Sequence, residues 1–323
     1  MLHQMVPRRI LLAFFFGTAM AAWAQVGAPQ LGWVPDGGAI RPVHGIPSAA
    51  AVGAAIPAED FSQIAASPAG NYVLVSASQT GLVSVYTPER GLISLDGARV
   101  APDRMVLSPR GSAAALWFSS INSSINMVQL VTGLPDAPSI RQVDLSFLGS
   151  APDALALSDD GAWLAGAGSS GVYADGPNGE VNRLPIEDRI AALAFFPGTY
   201  NLAAAGASGL EMVTGVGGFA VVTSVLASPD SSLQPVAVVA APGNQTLLLA
   251  DRSGSVIAVD IASGAAVTYD CGCQPEGLFG MGSSAFRLTG LESGAFKLFD
   301  AAHGEILFAP VALSAAPSEG AAQ

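Results

Sequence analysis

Few side chains in this 323-residue chain could do chemistry, and the cysteines come first. Cys271 and Cys273 are the only two, separated by Gly272 in YDCGCQPEG. A bond between them would close a very small, readily reduced ring. Two free thiols, or two thiolates holding a soft metal, are the other chemistries open to a C-x-C pair. The metal would need further ligands, and none stands nearby in the sequence. Beyond residue 24 the histidines are His44 and His303, each beside a Gly in an expected turn, and neither H-E-x-x-H nor G-x-S-x-G occurs. The run from Gly166 to Gly171 fits G-x-G-x-x-G, but it leads into VYADG, an extended segment, where a pyrophosphate site requires a helix N-terminus. It is expected to be a turn without a cofactor.

Carboxylates are the remaining candidates, and they keep time with a repeat. Gly-bearing turns recur at Gly70, Gly111, Gly161, Gly198, Gly243 and Gly282, at separations of 41, 50, 37, 45 and 39 residues. That is the length of a propeller blade. A Ser-Gly or Thr-Gly pair follows ten to twelve residues later in five of the six units, at Gly81, Gly171, Gly209, Gly254 and Gly294. The sixth unit carries the longer SSINSSINM instead, which accounts for the widest spacing. Asp60, Asp103, Asp153, Asp188 and Glu276 each lie six to ten residues before their unit's first turn, and only the unit with Gln234-Pro235 has no acid there.

The elements that position these acids read as four strands per unit. A short first strand (residues 63–66, 105–107, 154–157, 191–195, 236–239 and 277–279) precedes the Gly turn, and a strongly apolar second follows it. Continuous apolar runs of this length suit strands buried on both faces, as when twisted sheets pack around an axis. The stretch ADRSGSVIAVDIASG, residues 250–264, resembles a YVTN-type blade, and residues 59–312 resemble the WD40/YVTN-like class of bacterial propellers. No unit carries a Trp-Asp pair, a Gly-His pair or the YVTN tetrad, so the resemblance implies a fold and transfers no functional residue. The expectation is an all-β propeller of six four-stranded antiparallel blades, with seven as the alternative. In LGWVPDGGAIRPVHG a hairpin across residues 35–38 would either join the final blade or form part of a seventh. Residues 25–58 thus read as closing hairpin and connector, residues 47–57 being the connector, and residues 313–323 as a disordered tail.

In a propeller the strand entries share one face with the Ser-Gly turns, where Asp251 and Glu292 also fall. Asp60, Asp103, Asp153, Asp188, Asp251, Glu276 and Glu292 would then rim one mouth of the channel. Such a rim suits a hard cation such as Ca²⁺, or a basic ligand. The competing reading is that each Asp braces its own turn through a side-chain oxygen, with Arg104 and Arg189 neutralising the acids beside them.

The opening MLHQMVPRRILLAFFFGTAMAAWAQ has paired arginines, an apolar run and Ala22-Trp23-Ala24, the pattern of a leader cleaved after residue 24. The apolar run is too short to span a bilayer, which needs roughly 20 residues. A secreted or periplasmic monomer is expected. The formal charge of −12 falls to −14 when Arg8 and Arg9 leave, a surface that repels nucleic acid and anionic lipid. The expected function is a binding module presenting one loop face to a protein, peptide or carbohydrate, without a cofactor. The alternative is a metal-dependent propeller hydrolase or lactonase acting at the channel mouth.

Overall fold

The computed structural model describes residues 28–56, 60–121, 124–228, 230–282, 284–291 and 294–311. The leader, Glu292 and the C-terminal tail lie outside the described residues.

The second strand of each repeat explains the core. Val73–Ala77, Leu164–Gly168, Leu202–Gly206 and Thr246–Asp251 are almost wholly buried, because a neighbouring sheet packs on each of their faces. Ala and Gly in LAGAG and LAAAG let the two sheets approach closely, and Trp163, Phe195 and Leu202 fill the space between them. Fourth strands such as Ala266–Asp270 are exposed at the perimeter. The six first-turn glycines all sit in the left-handed region, with φ between 66° and 91°. Only Gly adopts that conformation without strain, which is why the repeat is visible in sequence.

Seven sheets form, not six. Residues 61–94, 104–144, 154–183, 190–227, 235–270 and 279–310 each make a four-stranded antiparallel meander, and residues 30–52 make a separate three-stranded sheet. In chain order they are blades 1 to 7, with the three-stranded sheet as blade 1. Part of the expected connector is thus its third strand, Ala51–Val52. Among the described residues, this sheet joins another only through a single bridge between Val52 and Val311.

Blade 1 also runs in the opposite sense. Nε2 of Gln30 and Nε1 of Trp33, near the start of its innermost strand, both donate to the carbonyl of Gly70, at the far end of blade 2's first strand, at 2.9 Å. The carbonyl of Gly38, just past that strand's end, accepts from the N–H of Phe61, where blade 2 begins. Gln30–Asp36 is therefore antiparallel to Phe61–Ala66. Its strands match the second, third and fourth strands of the other blades. Among the described residues, blade 1 thus has no counterpart of the six first strands.

Hydrogen bonds between first turns link most neighbouring blades on one face. Tyr72 Oη donates to the Gly111 carbonyl at 2.5 Å, and the Arg110 N–H to Asp159 Oδ1 at 2.7 Å. The Gly198 N–H reaches Asp159 Oδ2 at 2.7 Å, and Asn244 Nδ2 the Pro197 carbonyl at 3.0 Å. The Gly282 N–H donates to the Pro68 carbonyl at 3.0 Å, carrying the belt past blade 1 to blade 2.

Candidate binding face

The strand entries and second turns gather on the other face, here called the entry face. Asp103 Oδ2 accepts the N–H of Ser119 at 2.6 Å, and Asp188 Oδ2 accepts that of Ser208 at 2.9 Å. Each acid therefore ties the start of a blade's first strand to its second, Asp103 to the late part of that strand and Asp188 to the turn just past it. Asp60 makes the same tie with its main-chain carbonyl, which accepts from Ser78. Blade 6 reverses the arrangement. Its entry has Gln234, and Asp251, at the end of the second strand, accepts from the Gln234 N–H at 2.6 Å and the Ser253 N–H at 2.8 Å. The one unit without an entry acid thus carries the acid on the other partner. These contacts are turn braces, the use of Asp that needs no ligand.

Asp153 and Glu276 are different. Arg189 of blade 5 reaches back to Asp153 at the entry of blade 4, with Nε 3.2 Å from Oδ2 and Nη2 3.3 Å from Oδ1. It does not neutralise its neighbour Asp188, whose Oδ1 takes the Arg189 N–H instead. Arg104 likewise turns away from Asp103 and lies over the Trp117 ring, 5.8 Å from its centroid. Glu276 is half exposed and 4.0 Å from Nη1 of Arg287, which is buried. The Arg287 guanidinium sits 4.0 Å from the Phe279 ring centroid and donates to the Thr289 carbonyl at 2.8 Å. Burial pulls its pKa down to about 10, partly opposed by Glu276, so it stays charged at neutral pH.

Two depressions open on this face. One, of about 1000 Å³, is lined by Arg189, Gln234, Arg252, Gln274 and Glu276 among others. The second, of about 1070 Å³, is lined by Ser150, Ser169, Ser170, Arg183 and Glu187 among others. Both include Asp153, Asp188 and Arg189, so the Asp153–Arg189 pair is the wall between them. Asp60 and Asp103 line neither. Of the lining, Gln274 and Arg183 had no signal in the sequence, whereas Gln234 holds the entry position of its unit and Arg189 and Arg252 directly follow acids of the repeat. Beneath the face, Glu211 has Oε2 buried without a hydrogen-bond partner. Burial, then the nearby charges of Asp188 and Glu187, push its carboxyl up.

Among the described residues no three His, Cys, Asp or Glu side chains converge as metal ligands would. His303 lies on the opposite face, Nδ1 2.7 Å from Asp300 Oδ2, while Ser284 Oγ donates to Asp300 Oδ1 at 3.0 Å. Asp300 stands between the two, so the hydroxyl has no imidazole base, and the string is not a hydrolytic triad. Cys271 and Cys273 form a disulfide at the edge of the first depression. No helix among the described residues is long and apolar enough to cross a membrane.

No protein-family model matches the sequence, and no curated protein is similar enough to match. Among solved structures the chain is similar to apo AztD from Citrobacter koseri, with a TM-score of 0.55 and 14% identity over 87% of this chain and 81% of that one. Altogether 1050 solved chains match, so the fold is too widely shared to carry a function. The WD40/YVTN-like resemblance accordingly stands at the level of fold: the chain is a β-propeller of seven sheets.

Proposed function

We propose that this chain is an exported binding module whose entry face, across blades 4 to 6, receives a protein, peptide or carbohydrate partner. The observation that carries the reading is the pair of adjoining depressions, set on the face opposite the belt of first-turn hydrogen bonds. Their combined volume exceeds that of a small-ligand pocket, for which about 300–1000 Å³ is usual, and fits an extended chain laid across the Asp153–Arg189 wall. Gln234, Gln274, Ser169 and Ser170 supply neutral donors and acceptors. Arg183, Arg189 and Arg252 supply planar groups for carbonyls or carboxylates.

The test is capture of a partner from an envelope fraction by immobilised protein, with wild type, Arg252→Glu plus Gln274→Ala, and Phe219→Ser compared. Phe219 is 99% exposed at a turn on the opposite face, so its replacement is a control for that face. One partner should be retained by wild type and Phe219→Ser and lost by the entry-face variant. Retention by the entry-face variant, or loss with Phe219→Ser, would overturn the reading.

A further inference from the structure

We propose that Cys271–Cys273 is a thiol–disulfide exchange centre that oxidises a pair of thiols on a partner chain. The bridge closes over one residue, in the loop that leads from blade 6 to blade 7 and whose next residues, Gln274 to Glu276, line the first depression. The two sulfurs are unequally placed. Cys271 is 2% exposed within the apolar cluster of Val256, Leu278 and Phe286, whereas Cys273 is only half-buried at its margin and Gly272 between them is open to solvent. An incoming thiolate can therefore approach Cys273, with Cys271 as the leaving sulfur.

The chain's only lysine supports that departure. Lys297 Nζ donates to the carbonyls of Cys271 and Gly272 at 2.6 and 2.7 Å, which holds an ammonium against the ring that contains both sulfurs. No carboxylate is within ion-pair distance of it among the described residues. A cation in such a place lowers the pKa of a thiol, and a thiol of lower pKa leaves faster. The apolar burial of Cys271 alone would act the other way. The Asp270 carboxylate accepts the Gly272 N–H at 2.8 Å and the Gly254 carbonyl accepts the Cys271 N–H at 2.9 Å, so the loop stays in place when the bridge opens.

The reaction balances without another oxidant. A partner thiolate attacks Cys273 Sγ, forming a mixed disulfide and expelling Cys271 as thiolate. A second partner thiol, deprotonated, attacks the partner's own sulfur in that mixed disulfide, releasing Cys273 as thiolate and the partner as its disulfide. The two partner protons end on Cys271 and Cys273, and one equivalent of partner is oxidised by two electrons as the bridge is reduced.

The test treats the folded, oxidised protein with reduced glutathione, quenches with acid and maps the adduct by mass spectrometry. It needs no knowledge of the partner and is independent of the binding reading. The expected result is a glutathione adduct on Cys273 formed below the unfolding transition. Lys297→Gln should slow its formation on the order of threefold, and Lys297→Arg should restore it. The pH midpoint for alkylation of the reduced protein should lie below about 8.5, the free cysteine value, and rise in Lys297→Gln. Adducts on Cys271, or thiols released only when the protein unfolds, would overturn the proposal with the wild type alone. Equal rates and midpoints in Lys297→Gln and wild type would do the same for the role of Lys297.

Discussion

At the scale of single residues, the acids of the entry face differ in what they hold. Asp251 is 2% exposed and its carboxylate takes two main-chain N–H groups. Removing it would leave both donors of Gln234 and Ser253 without their charged acceptor, and a hydrogen bond to a charged group contributes about 1.5–3 kcal/mol. Asp251→Ala should therefore lower the free energy of unfolding by about 2–3 kcal/mol, read from urea denaturation. Asp60 is exposed and makes its tie through the main chain, which substitution leaves intact. Asp60→Ala should stay within about 0.5 kcal/mol of wild type. Equal losses in the two variants would mean that the carboxylates act through something other than these braces.

Between elements, closure depends on how blade 1 is wedged between blades 7 and 2. Trp33 is 3% exposed, packs with Phe61, Val73 and Val75, and anchors to the Gly70 carbonyl. Trp33→Ala should cost about 3–5 kcal/mol, measured by thermal or urea unfolding, and Tyr72→Phe about 1 kcal/mol for its single bond to Gly111. A Trp33→Ala protein of wild-type stability would show that the ring does not need this wedge. The same geometry explains what the sequence could reveal. Six blades announce themselves because each has a first strand ending in a left-handed Gly turn, a backbone demand that leaves a fixed residue type. Blade 1 begins with the equivalent of a second strand and so lacks that marker, which hides it from a count of repeats. Asp103 and Asp188 were legible for the same reason, since their brace needs a carboxylate at a fixed place. Their partners were not, because Ser119 and Ser208 contribute main-chain N–H groups, which any residue but Pro possesses. Nor could spacing show that Arg189 reaches back one blade to Asp153 rather than pairing with Asp188.

For the molecule as a whole, carboxylates on both faces set how stability depends on pH. Burial would raise Asp160, Asp251 and Asp300, but hydrogen bonds outweigh it: from Ser158 and Tyr200, from Ser253 and Gln234, and from His303, Ala302 and Ser284. All three are held below the usual range. Their contribution is full above the unfolded value of about 3.9 and is lost as pH falls through their folded values. Glu211 and Asp175 are shifted the other way. Burial leads in both, reinforced at Glu211 by Asp188 and Glu187 and only partly opposed at Asp175 by Arg141. A raised carboxyl binds its proton more tightly when folded, so its penalty is present at neutral pH and is relieved as pH falls through the raised value. Stability should therefore rise modestly on acidification from pH 7 and then fall below about pH 4 as the braces protonate. Glu211→Gln keeps the shape, removes the buried charge and gives the partnerless Oε2 position a neutral amide. It should raise stability at pH 7 and flatten the rise on acidification, leaving the acid limb unchanged. Urea titrations at a series of pH values decide this: a variant less stable than wild type at pH 7 would mean that the Glu211 carboxylate is compensated by a partner outside the described residues.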